Sequence, residues 1–147
     1  MRWALIQSTN QLHYWKLEQD ESSAEIKYNH PAQSFRQTAG DKRLFFIEKT
    51  GFLRHKFLIK TEYSVTAGEI LPLRNWHSGL IIFEEKKYHF SLKENLLTLV
   101  SKKQDFSLSI EIADSNSLDQ PEFYALLFGT LRVFTRTHKT KTELVFD

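Results

Sequence analysis

The amino-acid sequence predicts a mainly β chain: a single closed antiparallel β-barrel around one buried hydrophobic C-terminal helix. Three observations predict it. Segments with apolar residues at every second position recur as far as Ile112, and the cleanest sets Phe106, Leu108, Ile110 and Ile112 against Asp105, Ser107, Ser109 and Glu111. Turn-forming clusters separate these segments at intervals of about 8–12 residues, the spacing of a sandwich or barrel. After them comes the most apolar stretch of the chain, Pro121 to Phe134, in which Phe123 to Phe128 contains no polar residue. A helix apolar all round must be enclosed on every side or lie in lipid. At roughly 14 residues this one is shorter than the ~20 needed to span a bilayer. Enclosure by the preceding strands is the solution that remains.

Residues 2–8 and 12–18 form a first hairpin around Asn10-Gln11, with Trp3, Leu5, Tyr14 and Trp15 supplying strand-favouring bulk. Asp20 to Ser23 is a polar turn, and Ala24 to Asn29 alternates until His30-Pro31 ends it. Ser34 to Gln37 is a weak strand, turned by Ala39-Gly40-Asp41. Lys42 to Lys49 carries Leu44-Phe45-Phe46-Ile47 and reads as a strand buried on both faces. Thr50-Gly51 turns the chain into an alternating strand over Phe52 to Thr61, which Tyr63 to Thr66 is expected to continue after a bend. Ala67-Gly68 is expected to turn, and Ile70 to Leu73 to form a short strand that Pro72 marks as an edge or bulge. Three strands follow around Leu80 to Phe83, Tyr88 to Leu92 and Leu96 to Val100, then the run ending at Ile112. Asp114 to Ser117 breaks the β pattern. Asp119 or Gln120 caps the helix, Pro121 suits its first turn, and Glu122 complements its positive end. The helix is expected to fade near Arg132–Thr135, with Glu143 to Asp147 adding a last strand.

With 147 residues the chain has the size of one domain, residues 1–147, without repeat, linker or low-complexity tract. The absence of Cys excludes disulfides, zinc–thiolate sites and thiol nucleophiles. A net charge of +2, from 20 basic and 18 acidic residues, is too balanced to imply nucleic acid. The N-terminus lacks the apolar core of a signal peptide and no window reaches transmembrane length, so the expected location is cytoplasmic.

The run Leu44-Phe45-Phe46-Ile47, the hairpin-like pair Phe57-Leu58-Ile59-Lys60 and Gly68-Glu69-Ile70, and the helix from Phe123 to Phe134 together resemble the tubby C-terminal-like superfamily. That superfamily includes tubby, the LURP-one-related proteins and the phospholipid scramblases. The resemblance implies a closed barrel around a central helix and a role at phosphoinositides or membranes. It covers most of the chain in order and pattern, without a short motif that transfers a site residue by residue.

No nucleophile elbow, P-loop or GxGxxG is present, so no catalytic residue and no cofactor is expected. The histidines at 13, 30, 55, 77, 89 and 138 show no local metal-ligand spacing, so no metal site is expected either. The basic residues are the leading candidates. Arg54, Lys56 and Lys60 share one strand face, and Arg132, Arg136, His138, Lys139 and Lys141 precede the next acidic residue, Glu143. Each such cation near an anionic leaflet contributes about 1 kcal/mol. Arg132, the charge within the late part of the apolar run, marks the end expected to emerge from the barrel. The expectation is a non-enzymatic domain binding an anionic phospholipid headgroup, a phosphoinositide or another anionic partner. The alternatives are a small-molecule barrel with a pocket lined by Trp3, Trp15, Trp76, Tyr14 and Tyr63, or a structural interaction module.

Overall fold

A computed structural model describes residues 1–18, 24–51 and 55–146, with side chains described as far as residue 135. Eleven strands form one closed barrel. They are β1 (Arg2–Ser8), β2 (Leu12–Glu18), β3 (Ala24–Asn29), β4 (Ser34–Ala39), β5 (Asp41–Thr50), β6 (Lys56–Thr61), β7 (Thr66–Pro72), β8 (Ser78–Phe83), β9 (Lys86–Lys93), β10 (Leu96–Ser101) and β11 (Phe106–Ile112). A 3-10 turn (Ser115–Ser117) leads into helix α1 (Gln120–Phe146). Consecutive strands pair antiparallel, so β1 and β11 run the same way and the closing seam is parallel, with Arg2 beside Glu111 and Trp3 beside Ile112.

A barrel of about eight strands is filled by its own side chains. Eleven strands leave a lumen, and α1 fills it. Glu122 through Val133 are buried on every side of the helix, and Phe123 to Leu127 are 0% exposed. The wall supplies alternate residues to meet them, among them Trp3, Trp15, Ile26, Phe35, Phe45, Phe57, Ile59, Ile70 and Ile81. Phe128 packs against Phe35, Phe45 and Phe83 at ring separations of 6.0, 4.9 and 5.4 Å. Close approach requires glycine at Gly129, where a Cβ would collide with Ile26 Cδ1 and lie 3.1 Å from Gln37 Nε2.

Several expectations are corrected. The strand at Leu44 to Ile47 is not buried on both faces: Phe45 and Ile47 point inward, whereas Phe46 is 39% exposed. Among the described residues no second layer covers its outer face. Ala67-Gly68 does not turn; both lie within β7, and the turn falls at Glu62-Tyr63. Gly68 is there because Phe128 ring atoms would stand 3.0 Å from any Cβ. The helix does not fade near Arg132–Thr135 but runs to Phe146, so residues 143–146 continue it instead of forming a strand. The expected turn at residues 20–23 and the start of the strand at residues 52–54 lie outside the described residues.

Candidate metal centre at the helix N-terminal mouth

The inward phase of β2 runs back from Leu17 and Trp15 to His13, at the end of the strand. The inward phase of β3 runs forward from Ala24, Ile26 and Tyr28 to His30, just past its end. Antiparallel pairing sets His13 opposite Tyr28, and the His30 amide donates to Gln11 O at 2.9 Å. Both imidazoles therefore arrive at one mouth of the barrel. There α1 begins: Asp119 Oδ1 accepts from the Glu122 amide at 2.9 Å and caps the helix. The cap fixes the first turn so that Glu122 points into the same mouth, its side chain 1% exposed.

His13 Nδ1 lies 2.6 Å from Glu122 Oε2 and 3.1 Å from His30 Nε2. His30 Nε2 lies 3.8 Å from Glu122 Oε1, and the candidate ligand atoms all fall within 4.8 Å of one another. Metal–ligand bonds of about 2.0–2.1 Å in a tetrahedron place ligand atoms about 3.3 Å apart, so one cation fits this triangle once the His13–Glu122 pair, at 2.6 Å, opens by about 0.7 Å. Two of the candidate ligands have a further polar neighbour. Trp15 Nε1 donates to Glu122 Oε2 at 2.7 Å. His30 Nδ1 lies 3.3 Å from Asp119 Oδ2, an ion-pair distance when the imidazole is protonated. His13 packs edge-on against His30 at 4.2 Å, and Tyr28 against His30 at 4.8 Å. The Tyr28 phenol is pushed well above its ordinary range, first by burial and then by the charges of Asp119 and Glu122, so the mouth is electronegative. Glu122 Oε1 is buried and accepts no hydrogen bond. A buried carboxylate oxygen in that condition calls for an explanation, and a cation supplies one.

Among the described residues, the basic candidates Lys56, Lys60 and Arg132 are not brought together with this mouth. Lys56 pairs with Glu69 at 2.8 Å and Lys60 with Glu48 at 2.9 Å, both across neighbouring strands on the outer wall. Arg54 and the side chains of Arg136, Lys139 and Lys141 lie outside the described residues. Arg132 is corrected: its side chain is 9% exposed, donating to Gln37 Oε1 at 2.9 Å and Asp41 Oδ1 at 3.1 Å with its guanidinium 5.0 Å from the Phe45 ring centre. The charge is buried because the barrel wall offers it a matched carboxylate, amide and ring, so this end of the run does not emerge at Arg132. A recess of about 580 Å³ opens at that opposite mouth, lined in part by Asp41, Phe45, Glu84, Glu85 and Arg132.

The aromatic residues nominated as a pocket lining are also dispersed. Trp3 and Trp15 lie in the core and donate to Thr130 and Glu122 of the helix. Tyr14 donates to Glu25, and Tyr63 is 78% exposed. Trp76 stacks on His77 beside Phe123.

No family model matches the chain, and no solved structure matches it. A stretch of 71 residues is 27% identical to the GTPase-activating protein BEM2/IPL2 of Saccharomyces cerevisiae, covering 48% of this chain and 3% of that protein. At that share of its length, the likeness carries none of that protein's activity to this chain.

Proposed function

We propose that the chain is a metal-binding domain holding one divalent transition-metal cation through His13 Nδ1, His30 Nε2 and the Glu122 carboxylate. The observation that carries this reading is Glu122: a buried carboxylate with one oxygen lacking any hydrogen bond, with two imidazole nitrogens clustered beside it. Two nitrogens and one oxygen suit zinc and its neighbours, whereas calcium and magnesium prefer oxygen alone. The indole of Trp15 and the carboxylate of Asp119 support it further, because ligating groups ordinarily carry such outer partners. Isothermal titration with zinc should give one site per chain. His30→Ala and Glu122→Gln should each abolish that site while magnesium gives no heat with any form. Zinc binding unaffected by both substitutions would refute the reading.

Attachment to an anionic membrane surface, the role implied by the likeness to tubby-type domains, is the second reading. The observation favouring it is the length of α1. At 27 residues the helix carries Arg136, Lys139 and Lys141 on the same continuous element as Arg132. Changing these three to Gln should then reduce sedimentation with anionic vesicles, and salt should weaken it, since exposed charges are screened within about 8 Å at physiological ionic strength. No described helix is long and apolar enough to cross a membrane.

A further inference from the structure

We infer that the recess between the ends of β5 and β7 and the start of α1 binds a small molecule that joins a phosphate group to a flat aromatic body, the build of a mononucleotide. This site is separate from the metal-binding reading and does not depend on it. The recess has a volume of about 520 Å³ and is lined in part by Lys49, His55, Leu73, Arg74, Trp76 and Gln120. Its charge is of one sign. Among the described residues no carboxylate lines it, and the side chains of Lys49, His55 and Arg74 make no ion pair or hydrogen bond. The acidic residues of the flanking strands are taken: Glu48 faces Lys60 at 2.9 Å and Glu69 faces Lys56 at 2.8 Å. Asp119, next to Gln120, lies against the Glu122 amide and His30. A phosphate monoester carries about two negative charges. Lys49 and Arg74 match them, the first as a point charge and the second as a planar fork, and His55 offers an N–H in either tautomer.

The aromatic side of the recess is held in place. Leu73 N–H donates to Ser78 O at 2.9 Å and Ser78 N–H to Asn75 O at 3.0 Å, closing the β7–β8 connection that carries Arg74 and Trp76. Gln120 Nε2 donates to the Tyr124 hydroxyl at 3.1 Å, and that hydroxyl donates to Trp76 O at 3.1 Å, so the helix anchors the same connection. The Trp76 ring lies against His77, ring centres 3.7 Å apart, and is half-buried while still lining the recess. Leu73, 67% exposed, adds apolar surface beside it. An anchored, partly exposed indole next to unpartnered cations suits an aromatic ring that bears an anion, because stacking and charge then act on the two ends of one ligand.

The test uses the full chain in EDTA, so that a bound cation does not recruit the phosphate. Adenosine monophosphate, adenosine and inorganic phosphate are the probes, and tryptophan fluorescence is the readout. Trp3 and Trp15 are 0% exposed, so a ligand-dependent change reports Trp76. Adenosine monophosphate should give a saturable, one-to-one change and bind more tightly than either fragment does in competition with it. Arg74→Gln and Lys49→Gln, whose melting curves check that they fold, should each weaken it about tenfold, the scale of one charge-assisted hydrogen bond. No saturable response from the parent chain, or a response unchanged in both variants, would overturn the inference. Equal affinity for the monophosphate and either fragment would overturn the pairing of phosphate with ring.

Discussion

The two mouths of the barrel each enclose one charge of the same helix, and they treat it differently. At the far mouth Arg132 is matched: Gln37 Oε1 and Asp41 take its N–H groups, Phe45 faces its guanidinium, and Gln37 Nε2 in turn donates to Gly129 O at 2.9 Å. Every group there has a structural use. At the near mouth Glu122 faces Trp15, His13 and His30, yet one of its oxygens accepts no hydrogen bond. Charge burial alone therefore does not mark a site. Arg132 seals the barrel, whereas Glu122 sits beside two imidazoles with one oxygen left without a hydrogen bond.

The middle of the helix gives the largest effect and the baseline for both ends. Leu127, 0% exposed, should cost about 2–5 kcal/mol when changed to Ala, through lost transfer energy plus a cavity. Leu127→Lys should not fold, because a buried unpaired ammonium costs several kcal/mol against a total of about 5–15. Denaturant unfolding measures the first and circular dichroism the second.

At the far mouth, Arg132→Ala should cost about 2–3 kcal/mol by the same unfolding assay. Breaking a buried ion pair costs about 3–5 kcal/mol, and the 39% exposure of Asp41 lowers that figure. At the near mouth the sign reverses with the ligand. Zinc at about a hundred times its dissociation constant should stabilise the parent chain by about 2.7 kcal/mol and should leave Glu122→Gln unmoved. A zinc response lost in Arg132→Ala but kept in Glu122→Gln would exchange the roles assigned to the two mouths.

A smaller effect tests the helix entry. Tyr124 donates to Trp76 O at 3.1 Å, and burial pushes its phenol up to about 12. An unfolded tyrosine ionises near 10. The neutral, folded form thus contributes stability that is fully present below about pH 10 and is lost as pH rises toward 12. Tyr124→Phe should flatten that part of the stability profile.

The barrel and its enclosed helix were legible because period-2 alternation and an unbroken apolar run follow directly from local burial. Leu127 is buried whichever way the helix is rotated, so its environment needed no tertiary knowledge. Arg132 was misread because its partners, Gln37 and Asp41, stand more than ninety positions earlier, and no local pattern announces a buried cation. The cluster of His13, His30 and Glu122 had a partial signal: His13 shares the phase of Trp15 and Leu17, and His30 that of Ile26 and Tyr28. A hairpin of β2 and β3 brings those positions to one mouth. What the sequence did not contain is how far α1 slides into the lumen, and only that depth sets Glu122 between the two rings. A search for paired histidines within a few residues does not reach a cluster whose members come from three elements.

The most direct test is nitrogen NMR of the imidazoles during zinc titration, because the geometry assigns a different ring nitrogen to each histidine. One equivalent of zinc should move Nδ1 of His13 and Nε2 of His30 to metal-bound shifts and leave His55, His77 and His89 unchanged. Zinc that moves only those other histidines, or binds His13 through Nε2, would contradict the account.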